Sequence, residues 1–136
     1  MFKRIDHIEL VTASPERAER FYTGVLGFRV RERMRVAKTP SGPLDLVYLD
    51  LGGTTVELMC YPDATVGAPI PGERLGYRMM ALEVDDMDQA LRHLKSQGVD
   101  PSWGPMARPE YVRAEIRDPD GNPIELRQWY SSRPAR

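Results

Sequence analysis

The sequence predicts an α+β fold in which one pattern, a strand followed by a helix and about three further strands, occurs twice. Three observations predict it. Alternating apolar residues open each half of the 136-residue chain, a helix start follows each opening at the same distance, and a glycine-containing turn joins two strand patterns late in each half. These features recur in the same order, which favours an internal duplication over an ordinary α+β domain without one.

The first half begins with a strand and a helix start. Residues 5–11 (IDHIELV) alternate between apolar and polar side chains, as a half-buried strand does. Residues 14–16 (SPE) provide an N-cap, a proline at the first helical position and an acidic first turn. Residues 47–51 and 54–59 then follow as two strands joined by the two glycines at 52–53.

The second half repeats this arrangement. Residues 79–84 (MMALEV) predict a strand, and residues 86–88 (DMD) predict the start of the next helix. Residues 111–116 and 123–127 are expected to pair as strands across the turn DPDGN at 118–122. Each half therefore ends with a strand that contains a glutamate.

The spacing of the two halves sets the predicted domain organisation. His7 and Met79 are 72 positions apart, and so are Ser14 and Asp86. Residues 62–76 contain proline and glycine and interrupt the apolar periodicity, which indicates a linker. We expect a single domain over residues 1–136, with a first module at about 4–61, a second module at about 77–130 and a tail at 131–136.

Composition argues against several functional classes. The chain has 19 basic and 20 acidic residues, a formal net charge of -1 and a pI near 6.1, which argues against binding to nucleic acid or an anionic membrane. Its apolar runs are far shorter than a membrane span, and its start lacks the apolar core of a signal peptide. A single cysteine suits a reducing compartment. We therefore expect a cytoplasmic protein whose partner is neither nucleic acid nor a membrane.

Four strings in these halves resemble the vicinal-oxygen-chelate superfamily, which includes glyoxalase I, methylmalonyl-CoA epimerase, extradiol dioxygenases and bleomycin-binding proteins. The resemblance covers about residues 5–128 and is closest to bacterial glyoxalase I. It implies two βαβββ modules whose curved mixed sheets surround a cavity, and it also implies a homodimer. The strings are IDHI at 5–8, FYTGVLGF at 21–28, LEVDDMD at 82–88 and RDPDGNPIEL at 117–126.

The resemblance further implies a divalent-metal site, with one ligand from the first strand and one from the last strand of each module. The corresponding positions are His7, Glu57, Met79 and Glu125. Three of them match the His, Glu, His, Glu pattern of bacterial glyoxalase I, and Met79 departs from it. Because a thioether is a soft ligand, we interpret Met79 as a source of shape and apolarity. One imidazole and two carboxylates would suit Ni, Zn, Co, Mn or Fe.

The chemistry implied by the resemblance is proton abstraction next to a carbonyl group, with Glu57 or Glu125 as the general base. The predicted function is a metal-dependent lyase, isomerase or epimerase that acts on a small oxygenated substrate. The alternative is a metal-free binding protein of the bleomycin-resistance type, which Met79 favours. A two-histidine, one-carboxylate iron site cannot be assembled, which disfavours extradiol dioxygenase activity. Residues predicted to line the substrate pocket are Met59, Met79, Tyr48, Trp103 and Tyr111.

Two arginines near the second module's glutamate have competing interpretations. Arg113 and Arg127 would clamp an anionic group of the substrate if their side chains converge. The sequence favours the simpler expectation that they lie on a solvated edge of the sheet.

Overall fold

The computed structural model describes residues 1–131, and the chain divides into two compact units, one ending at Ala68 and one beginning at Pro69. The first unit consists of β1 (His7–Val11), α1 (Pro15–Arg20) with a π-helical continuation (Phe21–Val25), β2 (Arg29–Thr39), β3 (Gly42–Leu51) and β4 (Thr54–Cys60). The second unit consists of β5 (Met80–Glu83), α2 (Met87–Ser96), β6 (Trp103–Ala107), β7 (Tyr111–Arg117) and β8 (Pro123–Trp129).

Each unit forms one four-stranded mixed sheet, and the two sheets have the same topology. The strand order is β1-β4-β3-β2 in the first unit and β5-β8-β7-β6 in the second. In both sheets the first strand runs parallel to the last, and the other neighbours are antiparallel. The α+β class and the tandem βαβββ modules are thus confirmed. The predicted linker at 62–76 contains the division between the units, and residues 61–79 form neither helix nor strand.

Both predicted hairpins are present, and each is held by its turn residues. Gly52 and Gly53 have φ values of 55° and 81°, the left-handed backbone that a two-residue type I′ turn requires. In the second unit the buried carboxylate of Asp118 accepts hydrogen bonds from the backbone N–H of Asp120 at 3.0 Å and of Asn122 at 2.8 Å. These contacts align β7 with β8, and therefore fix the position of Glu125 on β8.

The helices begin at the predicted residues. Ser14 is the N-cap of α1 and Asp86 is the N-cap of α2. The Asp86 carboxylate accepts a hydrogen bond from the backbone N–H of Gln89 at 2.7 Å, whereas Ser14 makes no side-chain capping bond. Within residues 1–131, no helix has the length and apolarity needed to cross a membrane.

One face of the first sheet packs under its helix and forms a hydrophobic core. Strand pairing places Leu49 beside Val56 and Val47 beside Leu58, and all four side chains are buried. Helix α1 packs against β4, and its continuation contributes Tyr22, which has no exposed surface. This core fixes the register of β3 and β4, because a slip of one residue would turn the apolar set outward.

The opposite face of the first sheet is polar at one end and apolar at the other. Tyr48 lies beside Glu57, and Leu46 lies beside Met59. On the other side of β4, the parallel strand β1 places Glu9 beside Glu57. Since paired residues point to the same side of a sheet, the polar side chains of three strands meet on this face.

Candidate active site

The structure brings His7 and Glu57 together on the first unit, as the sequence predicts. The Nε2 atom of His7 lies 3.2 Å from Oε2 of Glu57 and 3.5 Å from Oε1 of Glu9. One ligand atom from each of these three side chains lies within 4.8 Å of the other two. His7 and Glu9 point to the same face of the sheet because they are two residues apart on β1.

The imidazole of His7 is oriented by its neighbour Asp6. Nδ1 of His7 lies 3.0 Å from Oδ2 of Asp6, and this hydrogen bond is the main cause that raises the pKa of His7. A carboxylate at Nδ1 favours the neutral tautomer that carries its proton there, which leaves the Nε2 lone pair for a ligand. The other ring nitrogen, Nε2, faces Glu57 and Glu9.

The carboxylate of Glu57 is buried, with only 5% of the residue exposed. Burial raises the pKa of Glu57; the charge on His7 opposes this rise, the negative charge of Glu9 adds to it, and a hydrogen bond from Tyr48 opposes it. Two carboxylates held close together around one imidazole produce a local negative field, which a divalent cation would offset. The donor set and the charge of this cluster therefore fit a hard or borderline divalent ion.

The predicted pocket residues Tyr48 and Met59 lie on the same face as Glu57. Tyr48 is its direct cross-strand neighbour, and the guanidinium of Arg31 lies 5.2 Å from the tyrosine ring centre. Met59 lies at the apolar end of this face, within a buried cluster of side chains. Two half-buried side chains pack against the cluster. That cluster consists of Leu44, Leu46 and Met59, with Val36 and Tyr61 packed against it.

The second unit carries Glu125, which is engaged by two arginines. Nε of Arg127 donates to Oε1 of Glu125 at 2.5 Å, and a terminal nitrogen of Arg113 lies 3.1 Å from Oε2. The same nitrogen of Arg113 also donates to Glu115 at 2.6 Å. Both oxygens of the predicted ligand Glu125 are therefore already paired with guanidinium groups, although only 7% of the residue is exposed.

The expectation that Arg113 and Arg127 lie on a solvated sheet edge is wrong. They lie on β7 and β8, the two central strands of the second sheet, and their side chains are 22% and 26% exposed. The guanidinium of Arg127 lies 4.2 Å from the ring centre of Tyr111 and 5.1 Å from that of Trp129, and that of Arg113 lies 5.0 Å from that of Trp103. The predicted pocket aromatics Trp103 and Tyr111 thus contact arginines within the second unit.

The second unit differs from the first at the two positions that correspond to His7 and Glu9. Ala81 lies beside Glu125, as Glu9 lies beside Glu57. Met79 lies two residues before Ala81 and directly precedes β5. Met79 is half-buried, and its sulfur lies 3.3 Å from a nitrogen of Arg78. The polar ligand pair of β1 is therefore replaced by two apolar side chains.

Glu9 is the site residue that sequence reasoning missed. The period of two in a strand puts Glu9 on the face of His7, so the signal was present in residues 5–11. The parallel register that sets Glu9 beside Glu57 comes from strands about fifty residues apart, and it is visible only in the folded unit.

The chain belongs to the Glyoxalase/Bleomycin resistance protein/Dioxygenase superfamily, whose family model matches residues 4–126. It is 32% identical over 129 residues to a lactoylglutathione lyase of Neisseria meningitidis, which covers 92% of this chain and 90% of that protein. It is 29% identical over 133 residues to the uncharacterized protein YaeR of Escherichia coli (strain K12), covering 91% and 95%. A solved glyoxalase family protein from Enterococcus faecalis superposes with a TM-score of 0.76 at 26% identity, covering 93% of this chain and 98% of that one.

Proposed function

We propose that the protein is a divalent-metal-dependent lyase, isomerase or epimerase that abstracts a proton next to a carbonyl group of a small oxygenated substrate. The observation that carries this proposal is the pairing of a buried Glu57 with a His7 ring that Asp6 orients. Membership in the superfamily and the similarity to lactoylglutathione lyases support the reaction class.

The residues of the first unit fit the roles that this chemistry needs. His7 and Glu57 would hold the ion, which when bound would polarise the substrate carbonyl and stabilise the negative charge that develops on it. A carboxylate whose pKa is raised by burial is also suited to accept a proton near neutral pH, and Glu57 has this property. Tyr48 orients that carboxylate through a hydrogen bond from its hydroxyl. The apolar cluster that contains Met59 would contact the rest of the substrate.

Glu125 stays a proposed ligand and base on the strength of the family pattern. To bind an ion, its carboxylate would have to leave at least one of the two arginines that now hold it. The homodimer is likewise a proposal that the resemblance supports.

Removal of the metal is expected to abolish activity. Protein purified without chelator should contain about one divalent ion per chain, measured by plasma mass spectrometry, and should catalyse the proposed proton transfer, assayed first with the hemithioacetal of methylglyoxal and glutathione. Dialysis against EDTA should remove the activity, and Ni²⁺ or Zn²⁺ should restore it. A protein that contains no divalent ion and shows no affinity for added Ni²⁺ or Zn²⁺ would contradict the proposal.

A second candidate function is metal-free binding of a small molecule, and the arginines that cover Glu125 favour it. Their stacking on Trp103, Tyr111 and Trp129 creates a surface suited to a flat anionic ligand. Under this function benzoate should shift the amide resonances of β7 and β8 in the presence of EDTA. The shifts should be absent with neutral benzamide, and their absence with benzoate as well would argue against this candidate.

A further inference from the structure

We propose that Glu9 is a further protein ligand of the ion, so that His7, Glu9 and Glu57 supply three ligands from the first unit. This inference rests on the proposed metal dependence and deepens it. It assigns a binding role to a residue outside the His7, Glu57, Met79 and Glu125 pattern, and it explains how the chain can hold an ion although Met79 occupies one position of that pattern.

The geometry of the three side chains matches that of ligands to one ion. Adjacent ligand atoms bound at 2.0–2.2 Å in tetrahedral or octahedral geometry lie about 2.8–3.6 Å from each other. The distances from Nε2 of His7 to the carboxylates of Glu57 and Glu9 are 3.2 Å and 3.5 Å. The ligand atoms of all three side chains lie within 4.8 Å of one another, and Glu9, the exposed member, is the side chain that would rotate to close the set around a cation.

The orientation of His7 supports the assignment independently of the carboxylates. Metal-binding histidines usually donate their other ring N–H to a carboxylate or carbonyl oxygen, which fixes the ring and its tautomer. Asp6 provides this contact at Nδ1, at 3.0 Å. The remaining nitrogen faces both Glu57 and Glu9, and the ligand atoms of the three residues lie within 4.8 Å of one another.

Charge gives a further reason for a cation at this point. A neutral imidazole and two carboxylates carry two negative charges, which one divalent ion balances. Glu57 is buried, and the Glu9 carboxylate stands beside it on the neighbouring strand. A bound ion would offset the repulsion between the two carboxylates, because both would be attracted to it.

The second unit offers fewer suitable donor atoms for a divalent ion than the first unit does. Glu125 has both oxygens paired with Arg113 and Arg127, so an ion bound by Glu125 would also experience the repulsion of two guanidinium groups. Met79 and Ala81 stand at the positions that correspond to His7 and Glu9, and neither offers a hard donor atom. Glu9 is therefore the carboxylate best placed to complete the set.

The test measures metal affinity directly in the full-length protein. Competition with a chromophoric chelator gives the Zn²⁺ dissociation constant, and the visible absorption of the Co²⁺ form reports the ligand set. Glu9→Gln should weaken Zn²⁺ binding by more than about 100-fold, the upper end of what loss of an outer-shell partner costs. It should also shift the Co²⁺ spectrum, while Glu9→Asp should retain part of the affinity.

The matched control is Glu32→Gln, which removes an exposed carboxylate on the neighbouring β2 strand beside Tyr48. It should bind Zn²⁺ within about threefold of the unsubstituted protein. Circular dichroism melting of each variant verifies folding. Unchanged affinity in Glu9→Gln, together with loss of affinity in Glu125→Gln, would overturn the role of Glu9 but leave metal dependence intact. Absence of Zn²⁺ binding by the unsubstituted protein would overturn the proposed function as well.

Discussion

Replacing Glu57 with glutamine is expected to abolish activity while the metal-free protein melts at or above the temperature of the unsubstituted protein. Under the proposed mechanism the change removes both a ligand and the group that accepts the proton, so kcat/KM should fall by about 100- to 10,000-fold. Stability should not fall, because burial raises the pKa of this carboxyl, which means that folding disfavours its ionised form. Glutamine has the same shape without that charge.

Two measurements on one sample separate these effects. The rate of the proposed reaction reports the catalytic loss, and thermal melting in EDTA reports the stability. Glu32→Gln, on the same sheet, should change neither quantity. A Glu57→Gln variant that keeps its rate would contradict the catalytic role of Glu57, whereas one that unfolds would show that the carboxylate stabilises the sheet instead.

Replacing Tyr22 with alanine is expected to have the largest effect on stability. Tyr22 has no exposed surface, and its ring makes edge contacts with Phe21 at 5.4 Å and Phe28 at 5.5 Å between ring centres. Removal of a large buried aromatic side chain costs about 3–5 kcal/mol in the free energy of unfolding. Because domains are stable by only about 5–15 kcal/mol, this loss should lower the melting temperature by roughly 10 °C or more.

Urea unfolding followed by circular dichroism measures the change. Tyr130→Ala is the control, because 53% of Tyr130 is exposed and its truncation should change stability by less than about 0.5 kcal/mol. Equal stabilities of the two variants would contradict the assignment of Tyr22 to the core of the first unit.

Local patterns were sufficient to predict most of the fold. The cap at Asp86 and the glycines at 52–53 mark element boundaries through interactions within a few residues, and the structure contains both at those places. The repeat of 72 positions predicted two similar modules, and the equal strand orders of the two sheets agree with it. Such features depend on backbone conformation and short-range hydrogen bonds, which the residues themselves specify.

The environment of the arginines could not be predicted in this way. Arg113 and Arg127 are adjacent only because β7 pairs with β8, and their contacts with Glu125 and the aromatic rings follow from that register. Their charge alone suggested solvent exposure. The surrounding sheet instead keeps them half-buried, because stacking on rings and pairing with carboxylates offset the loss of water.

The sequence by itself determined two βαβββ modules, the residues that begin their helices and form the turns of two hairpins, and the candidates His7 and Glu57. The tertiary structure decided which of the candidate carboxylates face the imidazole. Glu9 stands next to Glu57 through parallel pairing of β1 with β4, while Glu125 is held by arginines on its own sheet. The reason is physical: ligand geometry and charge compensation act over a few ångströms in space, and strand register brings together residues that are far apart in the chain.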